Sequence, residues 1–175
     1  MYDLIKKMTS PLSIIIGCIL STVLMVSVVK GFDIKTIGTG LYPTYASVYE
    51  ILQQFTAEAK GQYKLLLALD SLFALAHGAT CAFLIVVLFD KGMLKENLAR
   101  KLVFLPMGNM VLDWAENFIS FVILVVHPTE FFAAYIIGTV TFTKWMIVCL
   151  SYLAITGGLV GFVVFFIKSK MGRAK

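Results

Sequence analysis

Four apolar runs, each about as long as a bilayer crossing, constrain this chain more than any other feature. Residues 12–29, 65–89, 102–126 and 142–167 each hold enough apolar side chains in succession to span. About 20 residues at 1.5 Å of rise cover the roughly 30 Å hydrocarbon core. A β-barrel would show short segments of alternating polarity, and these runs show none. The expected fold class is all-α: an integral membrane four-helix bundle formed as one domain by all 175 residues. Composition agrees, because only 14% of the residues are charged, against about a quarter in a soluble domain.

Basic residues set the expected orientation. Lys6, Lys7, Lys91, Lys95, Arg100, Lys101, Lys168, Lys170, Arg173 and Lys175 fall on one side of the four spans, and Lys30, Lys35, Lys60, Lys64 and Lys144 on the other. Cytoplasmic loops attract the excess of positive charge, so both termini are expected in the cytoplasm. The net charge of +5 is thereby accounted for by topology and by contact with anionic lipid head groups, not by nucleic acid. Lys6 and Lys7 ahead of an apolar stretch mimic a signal peptide. Residues 12–29 exceed the usual h-region of about 7–15 residues, and Lys30, Gly31, Phe32 and Asp33 offer no cleavage site. An uncleaved first span is expected.

The connection 31–64 carries a pattern of its own. Val48, Ile51, Leu52 and Phe55 recur at the spacing of one helix face, and Ser47 with Glu50 makes a capping-box signature. The reading is a short amphipathic helix at about 47–58, lying on the outer membrane surface or closing the bundle mouth, with the surface placement expected. After His127 and Pro128, a helix running from 129 to 167 would be about 58 Å long. Residues 131–138 are therefore expected to lie at the interface, with the fourth span beginning near Phe142. Trp145 then falls in the aromatic belt and Lys144 can snorkel outward. Gly157 and Gly161 form a Gly-x-x-x-Gly face suited either to internal packing or to a dimer contact.

Ionisable groups at bilayer depth cost about 2.5–3.5 kcal/mol each on insertion scales. This chain places Asp70 in the second span and Asp113 and Glu116 in the third, with Asn117 and His77 beside them. Helical rise puts Asp70 about 9 Å below the outer boundary and Asp113 about 16 Å from the inner one, so the groups converge in the outer half. Asp113, Glu116 and Asn117 share a helix face at i, i+3 and i+4. Two carboxylates that close in low dielectric require a shared proton or an intervening cation. Lys144 is the candidate counter-charge. The same residues could instead satisfy one another and fix helix register.

Other chemistries fit poorly. His77 and His127 differ in depth by about 20 Å, too far for a bis-histidine haem. No ligand spacing for a metal, phosphate loop or nucleophile elbow occurs, and no cofactor is expected. Cys18, Cys81 and Cys149 lie in apolar runs without a CxxC pair, which reads as buried structural thiols and not as exchange chemistry.

Gly61-Gln62-Tyr63, Leu69-Asp70 with Phe73, Leu105-Pro106, Asp113-Trp114-Ala115-Glu116-Asn117 and Thr143-Lys144-Trp145 together resemble a group of small bacterial four-span membrane proteins. The resemblance covers roughly 42–145 and is carried mainly by the Asp-x-x-Glu-Asn and Lys-Trp elements. It implies the four-span architecture, a bacterial inner membrane and weight on the polar residues, and implies no activity. A looser analogy, in chemistry alone, is to sterol-isomerase-like domains, which also bury acids in a helical bundle; no motif here matches theirs.

Three functions follow as expectations. The first is a pocket lined by Asp70, His77, Asp113, Glu116, Asn117 and Lys144 that holds or passes a proton, a cation or a small amphiphile. The second is an enzyme using Asp113 and Glu116 as acid and base on a lipid-like substrate. The third is a structural subunit of a larger membrane complex or a homo-oligomer, with membrane lipids as the immediate partners.

Overall fold

The computed structural model describes residues 1–32, 36, 37, 40–90 and 96–172. Lys35, Lys91, Lys95, Arg173 and Lys175, used above to count charge, lie outside the described residues. Helix α1 (Tyr2–Met8) is followed by α2 (Pro11–Lys30), α3 (Tyr45–Gln53), α4 (Ala57–Asp90), α5 (Glu96–Leu102) and α6 (Phe104–Val126). A 3₁₀ turn at Phe132–Tyr135 leads into α7 (Ile137–Gly172). Among the described residues there is no strand. The helices Pro11–Lys30, Ala57–Phe89, Glu96–Val126 and Ile137–Met171 are long and apolar enough to cross a membrane. The four expected spans are all present.

Local chemistry sets the helix starts. At α2, Ser10 and Ser13 exchange hydrogen bonds between side chain and backbone, and Pro11 occupies the first helical position, where its missing N–H costs nothing. Thr44 and Ser47 cap α3 in the same reciprocal way. The expected Ser47–Glu50 pair therefore lies one turn too far along, and the helix at about 47–58 is instead Tyr45–Gln53. Thr56 then receives the Ala59 amide at 3.1 Å and opens α4 two turns earlier than the expected span.

Central in the bundle is α4, which packs against α2, α6 and α7, while α6 also packs along α7. The closest crossings run over small residues. A Cβ on Gly17 would sit 2.2 Å from Thr80 Oγ1, one on Gly78 would meet the Pro106 carbonyl at 3.2 Å, and one on Gly158 would lie 2.6 Å from the Phe89 ring. Gly157 and Gly161 have nothing within 4 Å. The internal α4–α7 contact is made by their neighbour Gly158, not by the Gly-x-x-x-Gly face.

Two apolar clusters close the ends. At one end the face of α3 carrying Val48, Tyr49 and Leu52 is buried against Tyr63, Leu66 and Leu67 of α4 and Ile123 and Leu124 of α6. Helix α3 is thus a lid on the bundle mouth, where a membrane-surface placement was expected. The reason is that its apolar stripe finds a preformed apolar floor at the tops of α4 and α6. Tyr63 supports the same end by accepting the Ile37 amide at 3.2 Å. At the opposite end, Tyr2 and Ile5 of α1 tuck against Ile85, Leu88 and Phe89. Arg100 there binds Asp3 and Glu96 on the surface.

The fourth span also differs from expectation. Its interfacial lead-in is confined to the 3₁₀ turn, and α7 starts at Ile137 and not near Phe142. At 36 residues it extends about 54 Å, longer than the roughly 30 Å hydrocarbon core. Only Cys81 of the three cysteines is buried; Cys18 and Cys149 are on the exposed faces of α2 and α7, so the expectation of three buried thiols holds for Cys81 alone.

Replacing Gly158 by Leu is expected to destabilise the protein by about 1–3 kcal/mol through overpacking. The same change at Gly157 or Gly161 is expected to stay within about 0.5 kcal/mol. Unfolding in micelles measures all three, and an equal loss at Gly161 would contradict the α4–α7 packing.

Candidate functional site

The polar residues at membrane depth come from three helices and meet beneath the lid end. From α7, Lys144 donates to Asp113 Oδ1 on α6 at 2.8 Å and also forms a salt bridge with Glu116 Oε2. Thr141, one turn earlier on α7, donates to Glu116 Oε1 at 2.7 Å. Asp113, Glu116 and Thr141 are buried, and only 16% of the Lys144 side chain is exposed. The two carboxylates expected to need an intervening cation have one, and it arrives from the neighbouring helix. Spacing explains the fit: Asp113 and Glu116 are one turn apart on the face of α6 turned to α7, and Thr141 and Lys144 are one turn apart on the opposing face.

On the other flank of α6, Asn117 Nδ2 donates to Asp70 Oδ2 at 3.0 Å and to Ser71 Oγ at 3.2 Å. The Trp114 indole adds a bond to the Ser71 carbonyl at 2.9 Å. These contacts lock α4 to α6. Among the described residues no lysine or arginine forms a salt bridge with Asp70. The cluster thus holds three carboxyl groups and a single ammonium.

Asp70, Asp113 and Lys144 form one wall of a cleft of about 460 Å³. Its other walls are α2, through residues such as Ser21 and Met25, and α7, through Trp145, Val148 and Tyr152. Because α2 packs chiefly on α4, it leaves a gap toward α7 that α4 and α6 floor. A second cavity of about 130 Å³ lies on the lid side of the cluster, lined by Tyr63, Glu116, Asn117 and Ser120 and sharing Asp70 and Lys144 with the cleft. The cluster stands between the two.

His77 lines the cleft but makes no hydrogen bond to the acids. Its Nε2 lies 3.1 Å from the Tyr152 hydroxyl and 3.6 Å from Cys81 Sγ, and its ring stacks on Phe73. Asp70, Asp113, Lys144 and His77 therefore face the larger cavity, while Glu116 and Asn117 stand behind them. Among the described residues no group of three or more His, Cys, Asp or Glu side chains is arranged to hold a metal ion.

Two residues passed over in the sequence bear directly on the cleft. Asn109 is 7% exposed and Ser21 is 8% exposed, and Asn109 Oδ1 and Ser21 Oγ are both buried without a hydrogen-bond partner among the described residues. Both residues line the cleft. A buried acceptor left unpaired costs about 1–3 kcal/mol, so such atoms in a cavity call for a polar group from outside the chain. Asn109 precedes Asp113 by four residues, and that spacing was the available signal. A serine in an otherwise apolar span gives no signal, because serine also bonds back to its own helix.

Comparison of the chain with family models, with curated proteins and with solved structures finds no match. The four spans define a multi-pass membrane protein.

Removing Lys144 is expected to cost more than removing either of its partners. Lys144→Met leaves two buried carboxylates uncompensated and is expected to lose about 3–5 kcal/mol. Asp113→Asn or Glu116→Gln leaves a balanced pair and is expected to lose about 1–3 kcal/mol. Denaturant unfolding in micelles ranks the three, and a larger loss for either acid variant would contradict the shared-cation geometry.

Proposed function

We propose that this protein binds a small amphiphilic molecule taken from the surrounding membrane, in the cleft bounded by α2 and α7. The observation that carries the reading is a cavity of about 460 Å³ with unpartnered buried polar atoms on its walls. That volume lies within the usual 300–1,000 Å³ range of ligand sites, which combine apolar walls with a few convergent polar groups. Met25, Phe73, Trp145 and Val148 supply the apolar wall, and Asp70, Asn109 and Ser21 supply polar atoms. Access from the side is favoured by the loose flank: α2 rests on α4 and does not seal against α7.

Asp113 and Glu116 serve here as a fixed electrostatic frame. Both are engaged by Lys144, which argues against their acting as a free acid and base. In this reading both termini face the cytoplasm of a bacterial inner membrane, on the strength of the lysine and arginine distribution and the family resemblance. The lid of α3 then covers the outer end. Lipid surrounds the exposed faces of α2 and α7, and self-association or a larger complex is accommodated there.

The test is mass spectrometry of the intact protein released from mild detergent after incubation with a total membrane lipid extract. Wild type is expected to carry a non-covalently bound amphiphile. Ser21→Phe, which fills the cleft, is expected to lose it with the fold retained by circular dichroism. Wild type without any bound species, or a variant that keeps it unchanged, would refute the cleft as a binding site.

A further inference from the structure

Resting on the cleft reading, we infer that the molecule bound there presents a protonated primary or secondary amine, placed against Asp70, Asn109 and Ser21. The argument is an account of donors and acceptors. Several donors beside the cleft are engaged inside the chain. Lys144 donates to Asp113 and is paired by charge with Glu116, and Asn117 Nδ2 serves Asp70 and Ser71. The Tyr152 hydroxyl is within bonding distance of His77.

Acceptors, in contrast, are left over. Asn109 Oδ1 is a carbonyl oxygen that can only accept, and it is buried with no partner. Ser21 Oγ, equally buried, has none either, and its hydroxyl can accept from a donor brought by the ligand as well as donate. Asp70 receives one hydrogen bond, on Oδ2 from Asn117, and a carboxylate can accept several. A ligand head group that brings N–H donors therefore matches the two groups here that can only accept, the Asp70 carboxylate and Asn109 Oδ1.

Charge selects among donor groups. Asp70, Asp113 and Glu116 face the single ammonium of Lys144, so formal charge around the cavity is negative when the carboxyls are ionised. A carboxylate or phosphate head group would add to that repulsion. An alcohol would supply one donor and no charge. An ammonium supplies two or three donors together with the missing positive charge, and a hydrogen bond between ionised partners is roughly twice as strong as a neutral one. The apolar remainder of the ligand lies along Met25, Phe73 and Val148.

Trp145 gives the test a reporter. It lines the cleft, and the chain has two tryptophans, so Trp114→Phe leaves a single fluorophore at the site. The protein in nanodiscs of zwitterionic lipid is titrated with dodecylamine and with dodecanol, each corrected for partition into empty discs. Dodecylamine is expected to bind roughly tenfold to a hundredfold more tightly, the range for a hydrogen bond to a charged group. Asp70→Asn keeps the side-chain shape and is expected to abolish that preference, weakening dodecylamine far more than dodecanol. Asn109→Leu is expected to weaken dodecylamine several-fold and serves if the Asp70 variant does not fold.

Equal affinities for the two probes in wild type, or a preference that survives both substitutions, would overturn the amine assignment while the cleft remains a binding site. No change in Trp145 emission with either probe would sink the cleft reading and this inference together.

Discussion

The ammonium of Lys144, held between the carboxylates of Asp113 and Glu116, is the contact on which the arrangement of the bundle turns. In hydrocarbon there is no water to solvate any of the three groups, so each depends on the others for its charge to be tolerated. The contact joins α6 to α7 at a fixed rotation, because only one face of each helix carries these residues. Thr141 reinforces that rotation through Glu116. With α7 so placed, Trp145, Val148 and Tyr152 necessarily line the cleft.

A second polar joint, from Asn117 to Asp70 and Ser71, sets α4 against α6. Both joints originate on α6, from residues within a single turn of one another. Packing does the remainder. Gly17, Gly78 and Gly158 let the helices approach where apolar side chains would hold them apart, and the lid of α3 seals one end with Val48 and Leu52. Among the described residues helix α2 has no polar joint of this kind. It rests on α4 through small residues, and the cavity exists because nothing draws it across to α7.

This division gives the site its character. A bundle locked by polar contacts between α4, α6 and α7 supplies a wall of acids, while α2, packed on α4 and away from α7, supplies a largely apolar wall. Fixed polar groups on one side and apolar surface on the other suit a ligand of mixed character. The leftover acceptors of Asn109 and Ser21 are tolerable only where something from outside the chain can reach them.

Hydropathy and helical rise were sufficient to read the four spans, because hydrocarbon leaves a spanning backbone little choice but to bond within its own helix. The same reasoning marked Asp70, Asp113, Glu116, Asn117 and Lys144, since charge at membrane depth is costly wherever it occurs. It erred at element ends: the cap of α3 is Thr44 and Ser47, and α7 begins at Ile137, because short polar residues near a helix start offer several competing caps. Nor could it decide whether α3 lies on the membrane or on the bundle, which depends on an apolar floor assembled from α4 and α6. The pairing of Lys144 with both acids, the turning of His77 toward Tyr152, and the cleft with its unpaired Asn109 and Ser21 belong to tertiary structure alone. They are set by which faces of separate helices meet, and periodicity within one helix carries no information about the rotation of its neighbour.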